Sequence, residues 1–109
     1  MAGPKPRTRF TPAEAAALPF PPGRLSTLAF DDNGLELRHY APKGRDDQTP
    51  HDRDEIYVVI SGTGRYRRAG EVVPFGPGDV LYAAAHEEHR FEDFTPDFAT
   101  WVIFWGETK

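Results

Sequence analysis

The segment Glu55-Ile56-Tyr57-Val58-Val59-Ile60-Ser61-Gly62-Thr63-Gly64 decides the fold class. Its middle is almost wholly β-branched or aromatic, a composition that fits a pleated, half-buried strand. Successive side chains of a strand point to opposite faces, so Glu55, Tyr57 and Val59 share one face and Ile56, Val58 and Ile60 share the other. Gly62-Thr63-Gly64 then turns the chain.

The same period of two runs outward from this segment. Upstream, Leu25 to Phe30 and Leu35 to Ala41 read as strands joined by Asp31-Asp32-Asn33-Gly34, where Asn-Gly supplies the positive φ values of a tight hairpin. Leu35, Leu37 and His39 fall on one face of the second strand. Pro42 to Asp47 is a polar loop. Downstream, Arg65 to Arg68 and Glu71 to Val73 form a hairpin around Ala69-Gly70. After the turn Phe75-Gly76-Pro77-Gly78, the segments Asp79 to Ala83, His89 to Phe94 and Phe98 to Trp105 complete the set. Eight or nine short strands with frequent turn signals imply an all-β domain over residues 25–109, a barrel or sandwich closed on itself. Residues 1–24 differ. Thr11-Pro12-Ala13-Glu14 reads as a capped helix start, and Pro19, Pro21 and Pro22 end the turn. This is a short helical arm that packs on the barrel or on a partner subunit.

A length of 109 residues fits one domain, and 13% aromatic residues give so short a chain much of its buried area. The formal net charge is −4 with both signs interspersed, and no basic stripe marks a nucleic-acid partner. No apolar run approaches the roughly 20 residues of a membrane span, and no amphipathic basic segment marks a membrane surface. Met1 to Arg7 lacks the apolar stretch of a secretory signal. With no cysteine in the chain, a metal would have to be held by nitrogen and oxygen. A cytoplasmic location is the expectation.

Two clusters carry the candidate chemistry. Gln48-Thr49-Pro50-His51-Asp52-Arg53-Asp54-Glu55 leads into the strongest strand, and His86-Glu87-Glu88-His89 leads into another. In extended chain His51 and Glu55 point to the same face, and His89 joins them if the two segments are neighbours. Two imidazoles and one carboxylate suit one divalent ion of Fe, Mn, Ni, Zn or Co, with coordination positions left open. The plainer alternatives are a surface ion pair for His51 and Glu55 and a satisfied barrel histidine for His89. His86 reads as solvated. Tyr57 and Phe91 share parity with Glu55 and His89 and are candidate pocket residues, as is His39 as a pocket-wall residue. Arg53 and Arg90 flank the ligands and are candidates to steer an anionic substrate.

These segments resemble the two motifs of the cupin superfamily, small single-domain members in particular. Pro50-His51, followed by Glu55 and by Gly62 seven residues later, is similar to the first motif. Gly78-Asp79-Val80-Leu81-Tyr82-Ala83-Ala84-Ala85-His86-Glu87-Glu88-His89 is similar to the second. The resemblance spans about Gly34 to Trp105. It implies a double-stranded β-helix (a jelly-roll or cupin barrel), often dimeric, with a metal in the barrel mouth held by His51, Glu55 and His89. Thr49 stands where the motif has its first histidine. Gln48 beside it is the candidate replacement ligand, turned inward if the chain bulges at Pro50. Ala84 stands where proline is usual and His86 where glycine is usual, which changes a turn and not a ligand. The function so implied is a mononuclear metal-dependent oxygenase acting on a small organic substrate. The alternatives are a non-catalytic small-ligand-binding or metal-sensing module, and a metal-dependent sugar isomerase or lyase with His39 or Tyr57 as its base. A homodimer is expected through the arm and the outward Ile56, Val58 and Ile60.

Overall fold

Thr11 caps a five-residue helix, α1 (Pro12–Ala16): its Oγ1 accepts from the Glu14 backbone N–H at 3.2 Å and donates to the Glu14 carboxylate at 3.0 Å. The computed structural model describes residues 7–109, so Met1 to Pro6 of the arm lie outside the described residues. What is described of the arm packs on its own barrel. Thr27 Oγ1 donates to the Ala15 carbonyl at 2.7 Å, and the Phe10 and Phe30 rings stack 5.0 Å apart.

The strands are β1 (Thr27–Asp32), β2 (Leu35–Tyr40), β3 (Asp54–Ser61), β4 (Gly64–Arg68), β5 (Glu71–Phe75), β6 (Val80–Ala83), β7 (His89–Glu92) and β8 (Ala99–Trp105). They pair antiparallel in two sheets, in the orders β1-β2-β8-β3-β6 and β5-β4-β7. This is the all-β double-stranded β-helix, with the short helix ahead of it. The Asn33-Gly34 turn has φ of 52° and 78°, the left-handed pair that the hairpin requires. Gly62 has φ of 85°, and a Cβ there would lie 2.5 Å from Phe98 Cα, so only glycine lets the chain turn beneath Phe98, just ahead of β8.

Alternation builds the core. Glu55, Tyr57 and Val59 of β3 and Thr100, Val102 and Phe104 of β8 are buried. They meet Tyr66, Phe75, Phe91 and Phe98 from the other sheet and its loops. Phe91 is the hub, with ring centroids 4.7 Å from Phe98, 4.8 Å from Tyr57 and 5.1 Å from Tyr66. Each such pair contributes about 0.5–1.5 kcal/mol beyond the area it buries. This aromatic plug fills the barrel behind the histidines.

One face assignment is corrected. Glu36, Arg38 and Tyr40 of β2 are the inward residues, and Leu35, Leu37 and His39 face the opposite way. His39 lies across from Thr27 and Trp101, edge-on to the Trp101 ring at 5.9 Å. It is buried because α1 covers this outer face through Thr27, and it does not line the interior. The inward charges are tolerated because they neutralise each other: Arg38 donates to the Glu36 carboxylate at 2.6 Å and to Ser26 Oγ at 2.6 Å.

Candidate metal centre

Glu55 enters the interior at the start of β3, across from Ala83 and Phe104. His89 begins β7 in the other sheet, across from Arg68. His51 arrives from the loop before β3. Donor atoms of these three side chains lie within 4.8 Å of one another. His89 Nε2 is 2.7 Å and His51 Nε2 3.8 Å from Glu55 Oε1.

His89 and Glu55 approach as a close ion pair in the metal-free protein. Both Glu55 oxygens and His89 Nε2 are buried, and none has a hydrogen-bond partner among the described residues. His89 Nδ1 donates to the Glu87 carbonyl at 2.8 Å, which fixes the tautomer and leaves the Nε2 lone pair aimed at the carboxylate. Lone pairs facing one another in a dry interior are costly, and a cation between them satisfies all three atoms at once. The residues therefore fit a divalent metal. In the metal-free protein, burial opposes charge on His89, but the Glu55 carboxylate and the Glu87 carbonyl outweigh it and raise its pKa. Burial lowers the pKa of His51, against a smaller opposing pull from Glu55, so its imidazole is held neutral, the form that binds metal.

Gln48 reaches the same point. Its Oε1 lies 3.2 Å from His51 Nε2 and accepts from the Tyr57 hydroxyl at 3.0 Å. Asp46 dictates which end of the amide points inward. One Asp46 oxygen accepts from the Tyr40 hydroxyl at 2.5 Å and the Gln48 backbone N–H at 3.1 Å. The other accepts from Gln48 Nε2 at 2.7 Å and the Phe91 N–H at 2.9 Å. A carboxylate only accepts, so the amide nitrogen must face Asp46 and the amide oxygen must face the histidines. Burial, then the hydrogen bond to Asp46, pushes the Tyr40 phenol far above its usual range. Burial and the Glu55 charge do the same to Tyr57, which keeps both hydroxyls as donors.

A cavity of about 500 Å³ opens on this cluster, with Gln48 and His51 in its lining, Tyr40, Val102 and Phe104 as its apolar part, and Arg24 and Arg53 as its cations. The sequence-derived candidates divide as follows. His51, Glu55, His89 and Gln48 come together, and the Tyr57 hydroxyl touches them. Phe91 lies one layer deeper in the plug, outside the lining of this cavity, and His39 lies on the other face of its sheet. Arg90 does not face the cavity: it clamps the loop by donating to the Asp46 carbonyl at 2.8 Å. Exposed His86 sits on the rim with φ of 66°, and its N–H donates to the His51 carbonyl at 2.6 Å. Asp46 and Arg24 were not legible as site residues, since single polar residues in a loop and an arm carry no periodic signal, and Glu36 of β2 was not because Leu35 and Leu37 beside it mark the opposite face as the core face.

Comparison with known proteins agrees with this fold. A family model described as the cupin domain matches residues 36–104. An uncharacterized protein of Streptomyces coelicolor is 34% identical over 59 residues, covering 54% of this chain and 56% of its own. The chain thus spans little more than half the length of that relative. A Klebsiella pneumoniae protein with a double-stranded β-helix domain superposes with a TM-score of 0.68 at 19% identity, over 92% of this chain and 90% of that one. A Rhizobium leguminosarum protein of unknown function superposes with a TM-score of 0.69 at 20% identity, over 94% of this chain and all (100%) of that one. At these identities the structures speak to the fold alone.

Proposed function

The chain belongs to the cupin family, and from that premise we propose that it holds one divalent metal ion with His51, Glu55, His89 and Gln48 and acts as a mononuclear oxygenase on a small organic substrate. The observation that carries this reading is the set of unpartnered, buried lone pairs of Glu55 and His89 beside an open cavity. A metal bound there supplies Lewis acidity and, where it is redox-active as Fe(II) is, a means of activating oxygen.

The chain's own residues do the rest. Glu87 orients His89, Asp46 orients Gln48, and the Phe104 ring packs edge-on to His51 at 5.1 Å. The aromatic plug excludes water from behind, so a substrate enters only from the cavity side. Arg53 is fixed beside that entrance by Glu36 at 2.5 Å and by the Phe104 face. An isomerase or lyase reading has less support. Tyr57 is held protonated as a donor to Gln48, and His39 lies on the other face of its sheet, so neither serves as a base.

The test is oxygen uptake by Fe(II)-loaded protein across small acids, thiols and diketones. Substrate-dependent uptake that is lost in Glu55→Ala supports the oxygenase. Retention of metal and ligand with no turnover by any of them would instead make the protein a binding module. No helix among the described residues is long and apolar enough to cross a membrane, and a reducing cytoplasm suits a Fe(II) site and a chain without cysteine. We also propose a homodimer. The outer face of β3 and β6 presents Ile56, Val58 and Ile60 with Val80 at 62% and Tyr82 at 43% exposure, and the arm adds Phe20 at 64%. Light scattering giving the monomer mass at high concentration would remove this part.

A further inference from the structure

One guanidinium in the wall of the cavity is left without a close carboxylate partner. Glu36 is one buried carboxylate shared by three guanidiniums: Arg38 at 2.6 Å, Arg53 at 2.5 Å and Arg24 at 3.9 Å. Arg38 is spent inside the wall, its other donors taken by Ser26 Oγ and the Ser26 carbonyl. Arg53 uses one nitrogen on Glu36 and lies flat over Phe104. Arg24 makes only the long contact with Glu36, donates no side-chain hydrogen bond among the described residues, and its side chain is 46% exposed in the cavity lining. Two further carboxylates line the cavity. Asp47 is paired with Arg45 at 2.7 Å, which leaves Asp52. No ion pair joins Asp52 to Arg24 among the described residues, so Arg24 is the guanidinium at the mouth whose fork is open to a ligand.

We propose that this open fork selects the substrate: a small organic acid whose single carboxylate pairs with Arg24, beside Arg53, while its remaining atoms lie along Tyr40, Val102 and Phe104 towards His51. The planar fork of Arg24 matches a carboxylate bidentately. A doubly charged phosphate fits less well, because the Asp47 and Asp52 carboxylates line the same cavity and oppose a second negative charge. Arg24 lies in the arm, outside the stretch that matches the family, so this chain supplies the recognition from its own sequence. The inference deepens the oxygenase reading and rests on it only for which end of the acid faces the metal.

Benzoate, benzamide and phenyl phosphate are probes of similar shape that differ in charge. Calorimetry on metal-free and Zn(II)-loaded protein should find benzoate bound in preference to both others. Arg24→Gln, at an exposed side chain, should fold normally and weaken benzoate about tenfold or more in both forms, with benzamide unchanged. Benzamide binding as well as benzoate, phenyl phosphate binding better, or benzoate indifferent to Arg24→Gln would each overturn the proposal. Failure of the protein to take Zn(II) would count against the metal reading, while the metal-free arm would still decide the role of Arg24.

Discussion

The four residues proposed as ligands come from two kinds of backbone. Glu55 and His89 sit on β3 and β7, where strand pairing sets their direction, and their side chains are 1% exposed. Gln48 and His51 sit on the loop between β2 and β3, with no ladder to aim them, and the His51 side chain is 30% exposed. The loop half is positioned by hydrogen bonds instead, with Asp46 as the hub and Arg90 clamping its carbonyl. A barrel thus supplies half a site through its fold, and the other half depends on a few particular side chains.

The sharpest way to break the comparison is to remove one member of each half. Glu55→Ala should abolish divalent metal binding, with affinity falling by about a thousandfold or more, because it deletes the charged ligand that the strands preorganise. Gln48→Ala should leave a weakened site, down by about 10–100-fold, since it deletes a neutral ligand. Equal losses by calorimetry would erase the distinction between the two halves.

A smaller effect tests how the loop is aimed. Asp46→Asn should weaken metal by about tenfold by freeing the Gln48 amide to rotate, and should cost about 1–3 kcal/mol of stability in denaturant. In a Gln48→Ala background the same substitution should leave metal affinity unchanged, as Asp46 acts through Gln48. Additive losses would mean that Asp46 supports the barrel and not the ligand.

The smallest effect concerns the charged wall beside the site. Burial would raise the Glu36 pKa, but the hydrogen bonds and charges of Arg53 and Arg38 overcome it and hold the folded-state value below the ordinary 4.5. A depressed carboxyl contributes stability above its unfolded pKa and loses it as the pH falls through the folded one. Wild type should therefore lose stability on acidification below 4.5, and Glu36→Gln should flatten part of that slope. Identical slopes would show that the arginines do not stabilise the charged form.

What could be read from the sequence follows the same division. The period of two, the Asn33-Gly34 turn and the spacings Glu55 to Gly62 and Gly78 to His89 all belong to strands and their turns, and the fold and the strand-borne ligands follow from them. His39 was misplaced because Leu35 and Leu37 beside it look like a core face. In the molecule only the His39 end of that face is covered, by α1 and Trp101, and the true inward residues are the mutually neutralised Glu36 and Arg38. Gln48 was legible only as a neighbour of a missing histidine, and its orientation depends on Asp46, which forms no pattern with it in sequence. Arg24 lies in the arm, whose approach to the cavity depends on tertiary packing.

The central claim is one metal held by both halves, and elemental analysis of purified, untagged protein tests it most directly, with wild type beside His51→Ala and His89→Ala. The account predicts about one equivalent of divalent metal in wild type, with none retained in His89→Ala and a reduced fraction in His51→Ala. A wild type that holds no metal, even after incubation with Fe(II) and Zn(II), would contradict it.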